Sequence, residues 1–135
     1  MKEIIVKTKI NEKVGKVWQL WTEPEHIVNW NFASSDWACP KAVNDLKPGG
    51  KFSWRMEAKN GSMGFDFSGT YIQIDEYRLI EKKLDDNRKV KITFAENEGI
   101  TEVIETFEPD EIDPDLQKQG WQAILDNFKK YVEPK

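Results

Sequence analysis

Near the C-terminus, Leu116, Gly120, Ile124, Phe128 and Val132 recur at helical spacing, and Trp121, Leu125 and Tyr131 widen the stripe they form. Lys118, Gln122, Asp126, Lys129 and Lys130 fall on the opposite face. Asp113 can cap this helix and Pro114 can begin it. An apolar face that wide needs a broad surface against it, and a sheet is the partner that supplies one.

The preceding chain reads as that sheet. In residues 3–10, Ile4, Val6, Thr8 and Ile10 share one face, with Ile5, Lys7 and Lys9 on the other. Asn11 offers a helix cap, and Glu12 suits a first helical turn. Val14, Val17, Trp18 and Trp21 then mark one face of a short helix. Thr22 and Glu25 have capping-box spacing, and Pro24 suits the start of a second short helix running to about Val28. Residues 29–48 are rich in turn formers, so a loop with one short strand near Trp37 is expected there.

Beyond Pro48-Gly49-Gly50, the alternation of Phe52, Trp54 and Met56 predicts a half-buried strand. Asn60-Gly61 is a hairpin signal. The return strand is expected over Met63–Ile74, with Gly64 and Gly69 as bends or bulges that could reverse its facing. Strands near Arg78–Leu84, Lys89–Ala95 and Ile100–Phe107 follow. Their links, Asp85-Asp86-Asn87 and Asn97-Glu98-Gly99, form turns and imply antiparallel neighbours.

The expected class is therefore α+β, in one domain over residues 1–135. About six to seven antiparallel strands curve around a long C-terminal helix, with two short helices after the first strand. A chain of 135 residues fits one such core. Aliphatics are few, but six Trp, seven Phe and three Tyr can fill it, because each buries a large area.

The net charge of −4 argues against nucleic acid, since phosphate binding rests on clustered Lys and Arg. Here the lysines alternate with acidic residues. Cys39 is alone, so no intrachain disulfide can form, and a reducing, cytoplasmic setting is expected. The opening run mixes charge into its apolar residues, unlike a secretory signal, and no apolar stretch is long enough to span a bilayer.

His26 and Cys39 are too few for a zinc set, and no calcium-loop spacing occurs, so no metal and no cofactor is expected. No serine stands in a nucleophile motif. Gly49-Gly50 opens a strand and lacks the residues of a phosphate loop.

The motifs taken in order resemble one family. They are Val17-Trp18, Trp30, Asp45-Leu46-Lys47-Pro48-Gly49-Gly50-Lys51-Phe52, Gly69-Thr70-Tyr71, Thr101-Glu102-Val103 to Phe107, and Gly120-Trp121 with Leu125. Over nearly the whole chain the sequence is similar to the activator of heat-shock protein 90 ATPase homology family, within the START-like helix-grip superfamily. The resemblance implies a helix-grip fold. For function it implies a hydrophobic-ligand binder, a chaperone accessory in stress response, or a cyclase-like enzyme, because one fold hosts several activities.

One polar feature stands out from the alternation. If Val103 and Phe107 point inward, Glu105 does too, and Lys82 is in the same position between Ile80 and Leu84. Either these side chains reach water or each other at an open end of the sheet, or Glu105 lines a cavity and orients a ligand's polar head.

The expected ligand cavity comprises Trp54, Phe67, Tyr71, Glu105, Phe107, Trp121, Leu125 and Phe128. Trp30, Phe32 and Trp37 would plug or gate one end. The aromatics could instead fill the space completely. The leading expectation is a monomeric, non-enzymatic binding domain for a small apolar molecule. A protein-interaction module and a cyclase- or hydrolase-like enzyme using cavity carboxylates such as Glu105 are the rivals.

Overall fold

The computed structural model describes residues 3–110 and 113–134. Its elements run β1 Ile4–Ile10, α1 Val14–Thr22, α2 Pro24–Ile27, β2 Trp37–Asn44, β3 Lys51–Ala58, β4 Gly64–Asp75, β5 Leu79–Leu84, β6 Lys89–Asn97, β7 Ile100–Phe107 and α3 Pro114–Val132. The strands form one sheet in the order β1-β7-β6-β5-β4-β3-β2, antiparallel throughout. Together with α3 lying against it, this is the helix-grip fold expected from the strand run and its final amphipathic helix.

Alternation sets which side chains enter the core. Val6 and Ile10 of β1, Ile80 and Leu84 of β5, Val90, Ile92 and Phe94 of β6, and Val103 and Phe107 of β7 are all buried. α3 contributes Leu125, Phe128 and Val132. Asp113 caps it as expected, its carboxylate accepting from the amides of Asp115 and Leu116. Gln122 lies on the polar face yet has a structural job. Its Nε2 donates to Lys7 O at 3.0 Å, covering a backbone group on the edge strand β1.

Several local expectations were overturned. Asn11 does not cap α1. The helix begins at Val14 after Lys13, and the Val14 amide donates 2.8 Å to Glu96 Oε1, which arrives from β6. Glu12 stays outside the helix, where Lys16 and the Lys13 amide both donate to its carboxylate. The capping box at Thr22 does not form either, because the Thr22 hydroxyl donates to Trp18 O inside α1.

The short strand near Trp37 is a full strand, β2, carried by its pairing with β3 and irregular between Ala38 and Lys41. Gly69 is not a bulge, since β3 and β4 pair in continuous register through it. The irregularity falls between Tyr71 and Gln73, against β5. Gly69 serves close approach instead: a Cβ there would stand 2.2 Å from Lys83 O and 2.9 Å from Leu84 Cα. Finally, Leu116 is 62% exposed, so the apolar stripe of α3 begins after the first turn.

Candidate functional site

The aromatic side chains do not fill the interior. A partly open cavity of about 280 Å³ remains between the sheet and α3. β3 gives Trp54 and Met56 to its wall, and β4 gives Phe65 and Phe67. α3 gives Trp121 and Ile124, while Trp21, Trp30 and Asn31 come from α1 and the residues around α2. Arg88, Asp110 and Gln117 also line it. The Asp110 amide donates to Gln117 Oε1 at 3.0 Å, and Gln117 Nε2 donates back to Asp110 Oδ1, so the exit of β7 is fastened to the first turn of α3.

Two of the ionisable residues that line this largely aromatic space are buried in the sheet. Lys82 is 2% exposed and Glu105 is 6% exposed. Their backbones sit on either side of β6, since Lys82 pairs with Val90, and Glu105 with Ile92. Among the described residues neither side chain makes a hydrogen bond, and no ion pair joins them within 4.0 Å. The Lys82 ammonium lies instead among three rings. Nζ is 4.3 Å from the Trp54 ring centroid, 4.4 Å from Phe52 and 5.1 Å from Phe67. Ring faces are negative and attract a cation, the more so without water.

Burial sets the electrostatics of both groups. It pushes Lys82 down from the ordinary lysine value, with the Glu105 charge partly opposing it. Burial pushes Glu105 up from the ordinary carboxylate value, with the Lys82 charge partly opposing that shift. Trp54 adds a third polar feature, a buried indole N–H without a hydrogen-bond partner among the described residues. Such a group is uncommon in folded proteins, and Trp54 lines the same cavity as Lys82 and Glu105.

Of the eight side chains expected to line the cavity, Trp54, Phe67, Glu105 and Trp121 do so. The other four are packed in the core. Phe107 stacks on Trp121 with centroids 3.9 Å apart. Leu125 and Phe128 are fully buried, and Phe128 contacts Trp21 and Trp30 edge-on. The Tyr71 hydroxyl hydrogen-bonds Asn44, whose Nδ2 donates to Thr22 O. Burial pushes that hydroxyl further above its ordinary value, so it stays neutral.

The three gate candidates separate. Trp30 is fully buried, with its Nε1 donating to Leu20 O at 2.9 Å, and it lines the cavity as a fixed wall. Phe32 and Trp37 are half-buried and do not line it. Trp37 packs edge-on against Phe65 instead. Sequence reasoning missed Phe65, Met56, Trp21, Arg88, Asp110 and Gln117 as lining residues. For Phe65 and Met56 the alternation with Phe67 and Trp54 was a usable signal. For the others no local signal exists.

Relatives of known structure share this architecture. The family model for activator of Hsp90 ATPase homolog 1-like proteins matches residues 12–133. The chain belongs to that family. An AHSA1-like protein from Aeromonas hydrophila, solved in solution, is 42% identical, over 97% of this chain and 92% of that one, with a TM-score of 0.91. A protein from Cytophaga hutchinsonii is 47% identical, over 98% of this chain and 92% of that one, with a TM-score of 0.85. A Chromobacterium violaceum protein, 21% identical with full coverage of both chains and a TM-score of 0.88, shares the fold. No curated protein matches the sequence.

The family fold is compatible with a ligand-binding or accessory domain. Among the described residues, no group of three or more His, Cys, Asp or Glu is placed to hold a metal ion. No helix among them is long and apolar enough to cross a membrane.

Proposed function

We propose that this member of the family binds a small apolar molecule in the cavity between the sheet and α3, in the cytoplasm and as a monomer. The observation that carries this reading is a partly open cavity with mainly aromatic walls and two ionisable groups without hydrogen-bond partners. Apolar pockets with a few polar groups are the usual ligand sites. The volume has room for roughly nine water-sized groups, which is the scale of a two-ring aromatic rather than of a sterol. The ligand's polar end would accept hydrogen bonds from Lys82 and donate to Glu105.

A second reading is favoured by one observation. Glu105 sits in the cavity with its proton affinity raised by burial, as in a site where a carboxylate handles protons. The chaperone-accessory reading, by contrast, rests on the family's name and is favoured by a filled core, whereas a cavity is present.

An amide-resolved NMR titration with short fatty acids, sterols and planar aromatics tests the binding reading. Saturable shifts on Trp54, Phe67 and Trp121 with two-ring aromatics are expected. A flat response across the panel, or shifts spread over the outer face of the sheet, would overturn it.

A further inference from the structure

We infer that the cavity takes carbonyl compounds, aromatic aldehydes or ketones, and that Lys82 joins them reversibly as an imine with Glu105 as the proton donor. The inference rests on the binding reading and gives the ligand's reactive group.

Four features of the site carry it. Lys82 lines a cavity large enough for a substrate body beside it. Among the described residues it has no hydrogen-bond acceptor and no ion pair within 4.0 Å, so nothing occupies the nitrogen lone pair once its proton leaves. Glu105 lines the same cavity as the nearby acid, and its charge is felt at Lys82. The rings of Phe52, Trp54 and Phe67 surround Nζ at 4.3–5.1 Å and would hold a cation there.

The other charged side chains in the cavity are Asp110, whose carboxylate accepts from Gln117 Nε2, and Arg88. Arg88 Nε donates to Asp86 and its Nη1 to Glu108 O. Tyr71 pairs with Lys82 from β4, Val90 from β6, and Trp121 closes the cavity from α3.

The step balances without an outside reagent. The neutral amine attacks the carbonyl carbon, forming a C–N bond and breaking the C=O π bond. The amine nitrogen loses one proton and the oxygen gains one, giving a carbinolamine. Glu105, protonated, then gives its proton to the hydroxyl, the C–O bond breaks, and water leaves. The nitrogen lone pair forms the C=N bond. The resulting iminium is again a cation in the same aromatic surround, opposite the carboxylate that has just lost its proton. Desolvation in an apolar pocket is a known way to make a lysine nucleophilic at neutral pH.

The test uses the full chain with naphthaldehyde and sodium cyanoborohydride, which reduces an iminium to a stable amine. Naphthalenemethanol, matched in shape but without a carbonyl, reports binding by tryptophan fluorescence. Peptide mapping should find the naphthylmethyl group on Lys82 first. At pH 7 its rate should exceed that of surface lysines by on the order of a hundredfold, the ratio of neutral amine expected for a lysine lowered to about 8.

Glu105→Gln should slow trapping at least about tenfold. A faster reaction in that variant would overturn the role of Glu105 as proton donor. If the alcohol binds but trapping is no faster at Lys82 than at surface lysines, the imine inference fails and the binding reading stands. If neither compound perturbs the tryptophans or reacts at Lys82, both fail. Mapping on the unmodified sequence keeps the test independent of whether any variant folds.

Discussion

Lys82 Nζ lies 4.3 Å from the centre of the Trp54 ring, although the two residues sit on strands that are not neighbours. β4 runs between them, and Gly69 is its residue in register with Phe52 on one side and Leu84 on the other. The missing side chain at Gly69 lets β4 approach the β5 backbone, where a Cβ would stand 2.2 Å from Lys83 O. Across that closely paired β4, the Lys82 cation of β5 meets the rings of Phe52 and Trp54 on β3.

Burying two charges opposes folding, and its pH dependence follows from the directions of the two shifts. Lys82 is lowered from 10.5 to about 8, so the unfolded chain binds more protons between those values and stability rises with pH there. Glu105 is raised from 4.5 to about 7, so the native chain binds more protons in that range and stability falls as pH rises through it. Both penalties are therefore near full strength between about pH 7 and 8. Replacing the pair by Lys82→Met with Glu105→Leu should raise stability by about 1–4 kcal/mol there. The gain should shrink towards pH 5 and pH 10, as urea melts of both proteins across about that range will read.

Gly69→Ala should be destabilising out of proportion to one methyl group. The new Cβ would meet backbone, not a flexible side chain, with Lys83 O at 2.2 Å. Overpacking of this kind costs about 1–3 kcal/mol, measured as a lower denaturation midpoint with an unchanged slope.

Trp121→Ala would remove both a cavity wall and the 3.9 Å stack on Phe107. A loss of about 3 kcal/mol is expected, the lower end for such truncations because Trp121 is only half-buried. If the cavity is the ligand site, the enlarged space should favour three-ring over two-ring aromatics in the NMR titration.

Glu96→Ala should destabilise by about 1 kcal/mol, although Glu96 lies in a strand. Its carboxylate accepts from the Val14 amide at 2.8 Å, so its removal uncaps α1. Thermal melts will show the loss, and Glu96→Gln should recover part of it by keeping an acceptor.

The fold was legible where the pattern was local and periodic. Strand alternation placed Val103, Glu105 and Phe107 on one face, and the Asp113-Pro114 pair announced the start of α3. The stripe through Leu125, Phe128 and Val132 called for a sheet beneath it. Those features depend on each residue's own side chain and on a period of 2 or 3.6, which sequence alone carries.

What depended on partners distant in sequence was decided only in the tertiary structure. Glu96 capping Val14, and Gly69 serving approach to β5 rather than a bulge, both require knowing which strands meet. The split among the aromatics is of the same kind. Trp54 and Trp121 line a cavity while Phe107 and Phe128 pack solid, although all four face inward. Alternation decides which face of the sheet a side chain joins. Whether that face is filled or left open depends on the volumes that the opposing elements bring to it.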